Sequence, residues 1–275
     1  MMRPLDVVMP EAIERGLRTT TIGRALRVLD AVPSTNDLAM QAAQEAAPTG
    51  LCIVADRQTA GRGRRGRAWE SPSGLGLYAS ILIRPRMPAA QIPLVTLVAG
   101  LATAEAIQEA TGATPALKWP NDILLCGRKV AGILTEMAMI GTQVGHAVIG
   151  VGINVHQAPH DFPEELRESA TSLAVATGKA VDRAALAAAL FSTFERWYVQ
   201  LEADGPSSVL EAGRRASATL GSRVRVLAPK PWDGIAVDLD GDGALLVRDE
   251  AGAIRRVLAD DVSIRVSDAE QNDER

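Results

Sequence analysis

The chain has 275 residues, 47% of them hydrophobic and only 3% aromatic, with a formal net charge of −4. That length admits one large domain or a large and a small one, and the mild acidity argues against a general nucleic-acid binder, which carries a basic surplus. No apolar run approaches the roughly 18 residues of a membrane span, and the segment Met1 to Asp6 lacks the layout of a secretory signal, so a cytoplasmic protein is expected.

Pro10 to Arg18 reads as a short helix and Leu26 to Ala31 as a strand. Thr35 to Ala46 follows as a helix, with Ser34 or Thr35 as N-cap and a stop before Pro48 and Gly50. Leu51 to Ala55 is a buried strand. An irregular stretch through Pro72, Gly74 and Gly76 then leads to a strand over Leu77 to Ile83. Pro93 to Thr111 is the clearest helix, with Pro93 in its first turn, apolar residues at Leu94, Leu97, Leu101 and Ile107, and Gly112 as its stop. Ala116 to Trp119, Ile123 to Cys126 and Val130 to Glu136 outline strands with a turn at Gly127-Arg128, and His146 to Val155 adds another. Asp182 caps a helix running to about Ala203, whose buried stripe is Leu186, Leu190, Phe194 and Trp197. Pro206 to Arg215 is helical.

From Arg223 onward, five short β-rich runs (Arg223–Leu227, Ile235–Leu239, Ala244–Arg248, Ile254–Leu258, Val262–Val266) alternate with Asp/Gly turns, the pattern of a small barrel. The expected division is residues 1–216, then a barrel over 217–267, then a polar tail over 268–275 that frays. Cys52 and Cys126 sit in apolar runs and are expected as buried free thiols, forming neither a disulfide nor a metal pair.

The most telling segment is Gly61-Arg62-Gly63-Arg64-Arg65-Gly66-Arg67, in which four arginines are threaded through three glycines. Arginines repel one another at that density, and glycine lets backbone approach a ligand without a Cβ in the way. The alternation reads as an anion clamp, with guanidinium forks and backbone N–H groups converging on phosphate or carboxylate. The same residues spell G-x-G-x-x-G, but that fingerprint requires a helix directly afterwards and an acid about 20 residues on. Arg67-Ala68-Trp69-Glu70-Ser71-Pro72 opens no useful helix, and Leu77 to Arg86 has no acid. The dinucleotide reading fails, and no P-loop is present. A solvated basic turn remains as the bland alternative.

Three further motifs join it. Lys118-Trp119-Pro120-Asn121-Asp122 ends a strand, from which the lysine can aim into a cleft. Ser34-Thr35-Asn36 is a helix N-cap, and its N–H groups also suit a carboxylate or ureido group. Gly150-Val151-Gly152-Ile153-Asn154 puts two glycines in a strand, a mark of close approach by a ligand or another backbone. His156 and His160 make a poor metal signature.

In this order, with Arg128-Lys129-Val130-Ala131-Gly132-Ile133-Leu134 added, these motifs resemble the biotin protein ligase family over about Leu26 to Arg265. The resemblance implies an α+β fold: a mixed sheet flanked by helices, similar to the class II tRNA synthetase core, with a C-terminal SH3-like β-barrel. It implies a two-step reaction in which biotin and ATP give biotinyl-5′-adenylate, and a lysine of a biotin carboxyl carrier domain, by default that of acetyl-CoA carboxylase, takes the biotinyl group. Mg²⁺ would be carried with the nucleotide, and no protein metal site is implied. By resemblance, Lys118, Arg64 and Arg67 are catalytic. Ser34, Thr35, Asn36, Gln58, Gly61, Arg62, Gly63, Arg64 and Lys118 surround biotin and its acyl phosphate. Arg65, Trp69, Lys129, Asn154 and Arg265 lie toward the nucleotide, and Asn154 with Ala170 to Thr177 closes over the adenylate.

Some relatives carry an N-terminal DNA-binding domain; about 25 residues precede the core here, so a ligase without repressor function, binding neither DNA nor membrane, is expected. Pairing of two copies through sheet edges is compatible with the family. A lipoate or octanoate transferase and a non-catalytic biotin-binding regulator are the competing readings. Ala158 to Ser169 and Pro229-Lys230-Pro231-Trp232 map onto nothing functional.

Overall fold

The computed structural model describes residues 7–227, 230–258 and the strand at 264–266. Along the chain run α1 (Pro10–Gly16), β1 (Leu26–Val32), α2 (Thr35–Gln44), β2 (Cys52–Gln58), β3 (Gly76–Ile83), α3 (Ile92–Thr111), β4 (Ala116–Lys118), β5 (Asp122–Leu125), β6 (Arg128–Ile140) and β7 (Gln143–Asn154). Then come α4 (Leu173–Thr177), α5 (Arg183–Asp204), α6 (Ser207–Ala216) and strands β8 (Arg223–Val226), β9 (Trp232–Leu239), β10 (Leu245–Asp249), β11 (Ile254–Val257) and β12 (Ile264–Val266).

The first seven strands form one mixed sheet in the order β1-β2-β3-β7-β6-β5-β4. Only β1 and β2 pair in parallel; the other neighbours are antiparallel. Alternation along each strand divides its side chains between two faces. Leu77, Ala79, Ile81 and Ile83 of β3 and Ile149, Val151 and Ile153 of β7 join the main core with α3, α5 and α6. The opposite face carries α2, whose Ala39, Ala42 and Ala43 pack on Ile53, Leu82 and Val148. Small residues bring that helix close to the sheet. It covers only part of the face, and the rest is the floor of a cleft.

Local signals explain the helices. Ser34 caps α2, its side chain accepting from Asp37 N–H, and Gly112 ends α3 in the left-handed conformation (φ 74°). Asp182 caps α5 by accepting from the N–H groups of Ala184 and Ala185. One expectation is corrected here: the helical stretch 89–111 is long and apolar enough to cross a membrane by length and composition. It is a core helix instead, with residues such as Val95, Val98, Ala102 and Ala106 wholly buried.

A second correction concerns Cys126. Cys52 is buried, but Cys126 is exposed. Cys126 and Gly127 have φ of 51° and 74° and form the tight turn between β5 and β6, so the thiol faces solvent. The β6–β7 hairpin is also longer than its hydrophobic pattern suggests, because pairing continues out to Ile140 and Gln143.

The last five strands form a separate antiparallel sheet, β11-β10-β9-β8-β12. It is fastened beside β4: Ala218 N–H donates to Leu117 O (2.8 Å), Trp119 N–H to Thr219 Oγ1 (2.9 Å) and Trp119 Nε1–H to Gly243 O (3.0 Å). Of the unassigned Pro229 to Trp232 stretch, Pro229 lies outside the described residues, and Trp232 opens β9 with the Arg255 guanidinium 5.1 Å from its ring centre. The tail expected over 268–275 also lies outside them.

Candidate functional site

The cleft has a volume of about 790 Å³. Its floor follows from the sheet's alternation and register. Lys118 on β4 stands opposite Asp122 on β5, which stands opposite Gly132 on β6, itself paired with Gly152 on β7. Leu134 pairs with Gly150, and Ser80 of β3 lies across from Gly150 as well. One row of cross-strand neighbours therefore runs from a lysine through an acid to a strip without side chains.

That strip lines the cleft and is met by side chains of the chain itself, where the sequence pattern pointed to a ligand or another backbone. A Cβ on Gly152 would lie 2.5 Å from Trp69 Cε2 and Nε1, and one on Gly132 3.0 Å from Trp69 Cζ3. The Trp69 indole therefore lies flat on two paired glycines, and Lys129 Nζ sits 5.4 Å from the centre of its ring. Gly150 makes equivalent room for Asn36, whose Oδ1 would be 2.3 Å from an added Cβ.

Asn36 is buried and committed. Its Nδ2 donates to Glu136 Oε2 (2.8 Å) and Leu134 O (3.2 Å), and its Oδ1 accepts from Ser80 Oγ (2.6 Å). Gln58 accepts from the N–H and hydroxyl of Thr35 (2.9 and 3.1 Å) and donates to Ser71 Oγ (2.9 Å). The N-terminus of α2 is thereby locked to the root of the arginine loop.

Within the loop, Gly63 N–H donates to Arg67 O (2.7 Å) and Trp69 N–H to Gly61 O (2.9 Å). Arg65 holds the left-handed conformation (φ 60°) at its tip. Arg62 is held by Asp37 and by Glu136 (2.9 Å), and Arg64 donates to Asn121 Oδ1 (3.3 Å). Lys129 pairs with Asp122 (2.5 Å). Among the described residues, neither Lys118 nor Arg67 has a hydrogen-bonding or ion-pair partner for its side-chain charge. Two cations in the cleft are thus uncommitted, while neighbouring ones are held by acids.

The structure brings Ser34, Thr35, Asn36, Gln58, Arg62, Gly63, Arg64, Arg65, Arg67, Trp69, Lys118, Lys129 and Asn154 to the cleft wall. Gly61 is not on it; a Cβ there would meet Trp69 O at 2.4 Å, so this glycine closes the loop on itself. Arg265 lies on β12 opposite Arg225, and its side chain is outside the described residues. Asn154 is buried and works as a tie, with Nδ2 donating to Thr171 O (3.1 Å) and Oδ1 accepting from Gln157 Nε2 (3.3 Å).

Of the segment Ala170 to Thr177 only Ala170 lines the cleft, because Leu173 is wholly buried in the core and Ala174 N–H is bonded to Val155 O (2.9 Å). The wall is made instead by the previously unassigned stretch, through Asp161, Phe162, Pro163, Glu165 and Leu166. Its Pro-rich, acidic composition carried no signal of that position. Among the described residues, no three or more His, Cys, Asp or Glu gather as metal ligands.

Two family models match the chain: the biotin/lipoate A/B protein ligase family over residues 28–154 and the biotin protein ligase C-terminal domain over residues 219–265. The chain is 39% identical over 274 residues to a biotin–[acetyl-CoA-carboxylase] ligase of Mycobacterium tuberculosis, covering 95% of this chain and 98% of that protein. It is 38% identical over 253 residues to the bifunctional ligase/repressor BirA of Bacillus subtilis, covering 92% and 78% respectively. Among solved structures, the biotin protein ligase of Aquifex aeolicus in complex with biotin and ATP superposes with a TM-score of 0.77 at 33% identity, covering 89% of this chain and all of that one.

Proposed function

We propose a two-step reaction for this chain, which belongs to the biotin protein ligase family and is a ligase: activation of biotin by ATP, then transfer of the biotinyl group to a lysine of a biotin carboxyl carrier domain. The observation that carries this reading is the meeting of the arginine-glycine loop with Lys118 in one cleft, with Lys118 and Arg67 uncommitted among the described residues.

In the first step a biotin carboxylate oxygen attacks the α-phosphorus of ATP and pyrophosphate leaves. In the second, the carrier ε-amine attacks the acyl carbon and AMP leaves. Both substrates of the first step are anions, and their approach at about 4 Å opposes reaction by several kcal/mol in a partly dry site. Lys118, Arg64 and Arg67 are the groups assigned to offset that repulsion and to stabilise charge on the transferring phosphorus. Arg62 and Gly63 with Ser34, Thr35, Asn36 and Gln58 form the biotin side. Trp69, Lys129, Arg65 and Asn154 belong to the nucleotide side. The walls from the loop and from 161–170 keep water from the mixed anhydride, which hydrolyses when exposed. A magnesium ion would enter on the phosphates of ATP, since the described residues offer it no ligand cluster of their own.

We assign the reaction to the cytoplasm, with the carrier of acetyl-CoA carboxylase as acceptor. The test is ATP–pyrophosphate exchange with biotin, lipoate, octanoate or no acid, followed by transfer to a carrier domain and to its Lys→Arg variant. Exchange with biotin alone, and label on the lysine form only, is the expected result. Exchange with lipoate or octanoate instead would overturn the biotin assignment, and tight biotin binding without exchange would make the protein a regulator.

A further inference from the structure

Outside the cleft, the least expected charge in the molecule is Arg183. It is the first residue of α5 and only 1% exposed. A cation at a helix N-terminus opposes the helix dipole, and an arginine is buried at a large desolvation cost unless it is paired. Neither the helix nor the core explains it. Two of its partners do: Nη1 donates to Asp56 Oδ1 (2.8 Å) and to Gly76 O (3.1 Å).

Asp56 and Gly76 lie at the two roots of the arginine loop, near the end of β2 and at the start of β3. Asp56 accepts in turn from Gly74 N–H (3.1 Å) and from the Ser73 hydroxyl. Two more ties lie alongside, Gln58 N–H to Ser71 O (3.2 Å) and Tyr78 O–H to Pro72 O (3.1 Å). Within this set the guanidinium is the contribution from outside the β2–β3 connection, and it fastens that connection to the longest helix of the core.

We propose that Arg183 is a positioning residue for the arginine-glycine loop, holding residues 61–67 over the cleft by clamping the loop's two roots through Asp56 and Gly76. Burial opposes ionisation of Asp56, but the Ser73 hydroxyl, Arg183 and the Gly74 N–H outweigh it and hold the carboxyl below its usual range, so the clamp stays charged at neutral pH. The inference rests on the proposed reaction only for its kinetic consequence; the ordering of the loop is independent of any substrate.

The loop carries its own probe, because trypsin cuts after arginine and needs an open, extended segment. In the full-length protein, Arg183→Met and Asp56→Asn are expected to speed trypsin cleavage after residues 62–67 by about tenfold, since cleavage tracks the population of the opened segment. Cleavage at arginines outside the loop, such as Arg196 and Arg215, is expected to stay unchanged. The double variant should be no faster than the faster single one, because both remove the same pair. In ATP–pyrophosphate exchange, KM for biotin and ATP should rise about tenfold with a smaller change in kcat, and Arg183→Lys should recover part of it.

An unchanged loop cleavage rate would overturn the proposal. So would acceleration in equal proportion at all sites, which reports general loss of stability. If Arg183→Met does not fold, Asp56→Asn carries the same test, because that carboxylate is 29% exposed and can rehydrate. Absence of biotin-dependent exchange in the unmodified protein would refute the proposed reaction and leave the proteolysis result standing.

Discussion

Gly152→Ala adds one methyl group to the middle of the sheet and should cripple the nucleotide side of the cleft. The new Cβ would stand 2.5 Å from Trp69 Cε2 and Nε1 and 2.8 Å from Cζ2, where ordinary contact is 3.4–4 Å. The backbone cannot retreat, because β7 is bonded to β3 on one side and β6 on the other. To restore ordinary contact the ring must therefore lift off the glycine strip by about 1 Å. Overpacking of this kind costs ~1–3 kcal/mol, which corresponds to a factor of roughly 5–150 in an equilibrium. Because the ring moves toward the cleft, we expect most of that to appear as a raised KM for ATP in biotin-dependent exchange, with a melting temperature lowered by only ~2–4 °C. The decisive control is Trp69→Leu, in which the clashing atoms are absent. Gly152→Ala on that background should have no further effect on KM, giving a strong coupling in the double-mutant cycle. Additive effects, or an unchanged KM with Trp69 in place, would refute the account of the glycine strip as a floor for the indole.

Two further outcomes follow from the charges. Lys118→Met should leave stability within about 0.5 kcal/mol, because the ammonium has no partner among the described residues, yet lower exchange by roughly 10²–10³, the usual loss of one preorganised charge or donor; exchange within a fewfold of the parent would remove Lys118 from the mechanism. Stability should also fall in acid. Burial works against ionisation of Glu195, but the N–H groups of Ile22, Thr20 and Thr21 outweigh it and hold the carboxyl below its usual range, as happens at Asp56. A folded pKa below the unfolded value, about 4 for these groups, gives stability that is fully present above about pH 5 and is lost as pH falls through 4 toward the lower native values. Urea midpoints should therefore be level between pH 8 and 5 and drop below that. Glu195→Gln should be less stable than the parent at pH 7 and equal to it near pH 2, and a difference independent of pH would refute the linkage.

Elements whose causes are local were legible in the chain. The end of α3 at Gly112, the cap of α5 at Asp182 and the strand carrying Lys118 depend on one or two neighbouring residues, and they appear where the local chemistry puts them. What depends on remote partners was not legible. Nothing around Cys126 distinguishes a strand end from the first corner of a tight turn until β5 and β6 are in register. The paired glycines announced a close approach, but the approaching group is Trp69 from more than 60 residues earlier on the arginine loop, which only the β6–β7 register can reveal. Arg183 was invisible for the same reason: at the start of an apolar helix it looks like a surface charge, and its meaning lies in Asp56, 127 residues away.

The same distinction governs how the cleft can take an anion. Arg62 and Lys129 are already neutralised, by Asp37 and Glu136 and by Asp122 respectively. A phosphate that recruited either would have to displace a carboxylate and leave it unpaired beside another negative charge, and in a partly dry site that loss offsets much of the gain. Lys118 and Arg67 demand no such exchange. Their charge is available as it stands, on a sheet strand and on a loop whose roots are clamped, so a ligand need not order them first. In the proposed reaction Arg62 and Lys129 then help hold the loop and β6 in place on their sides of the cleft, and the uncommitted pair joins Arg64 in meeting the transferring phosphate. Sequence alone shows a surplus of arginine; which of those charges remain free to act is decided by acids brought in from α2, β5 and β6.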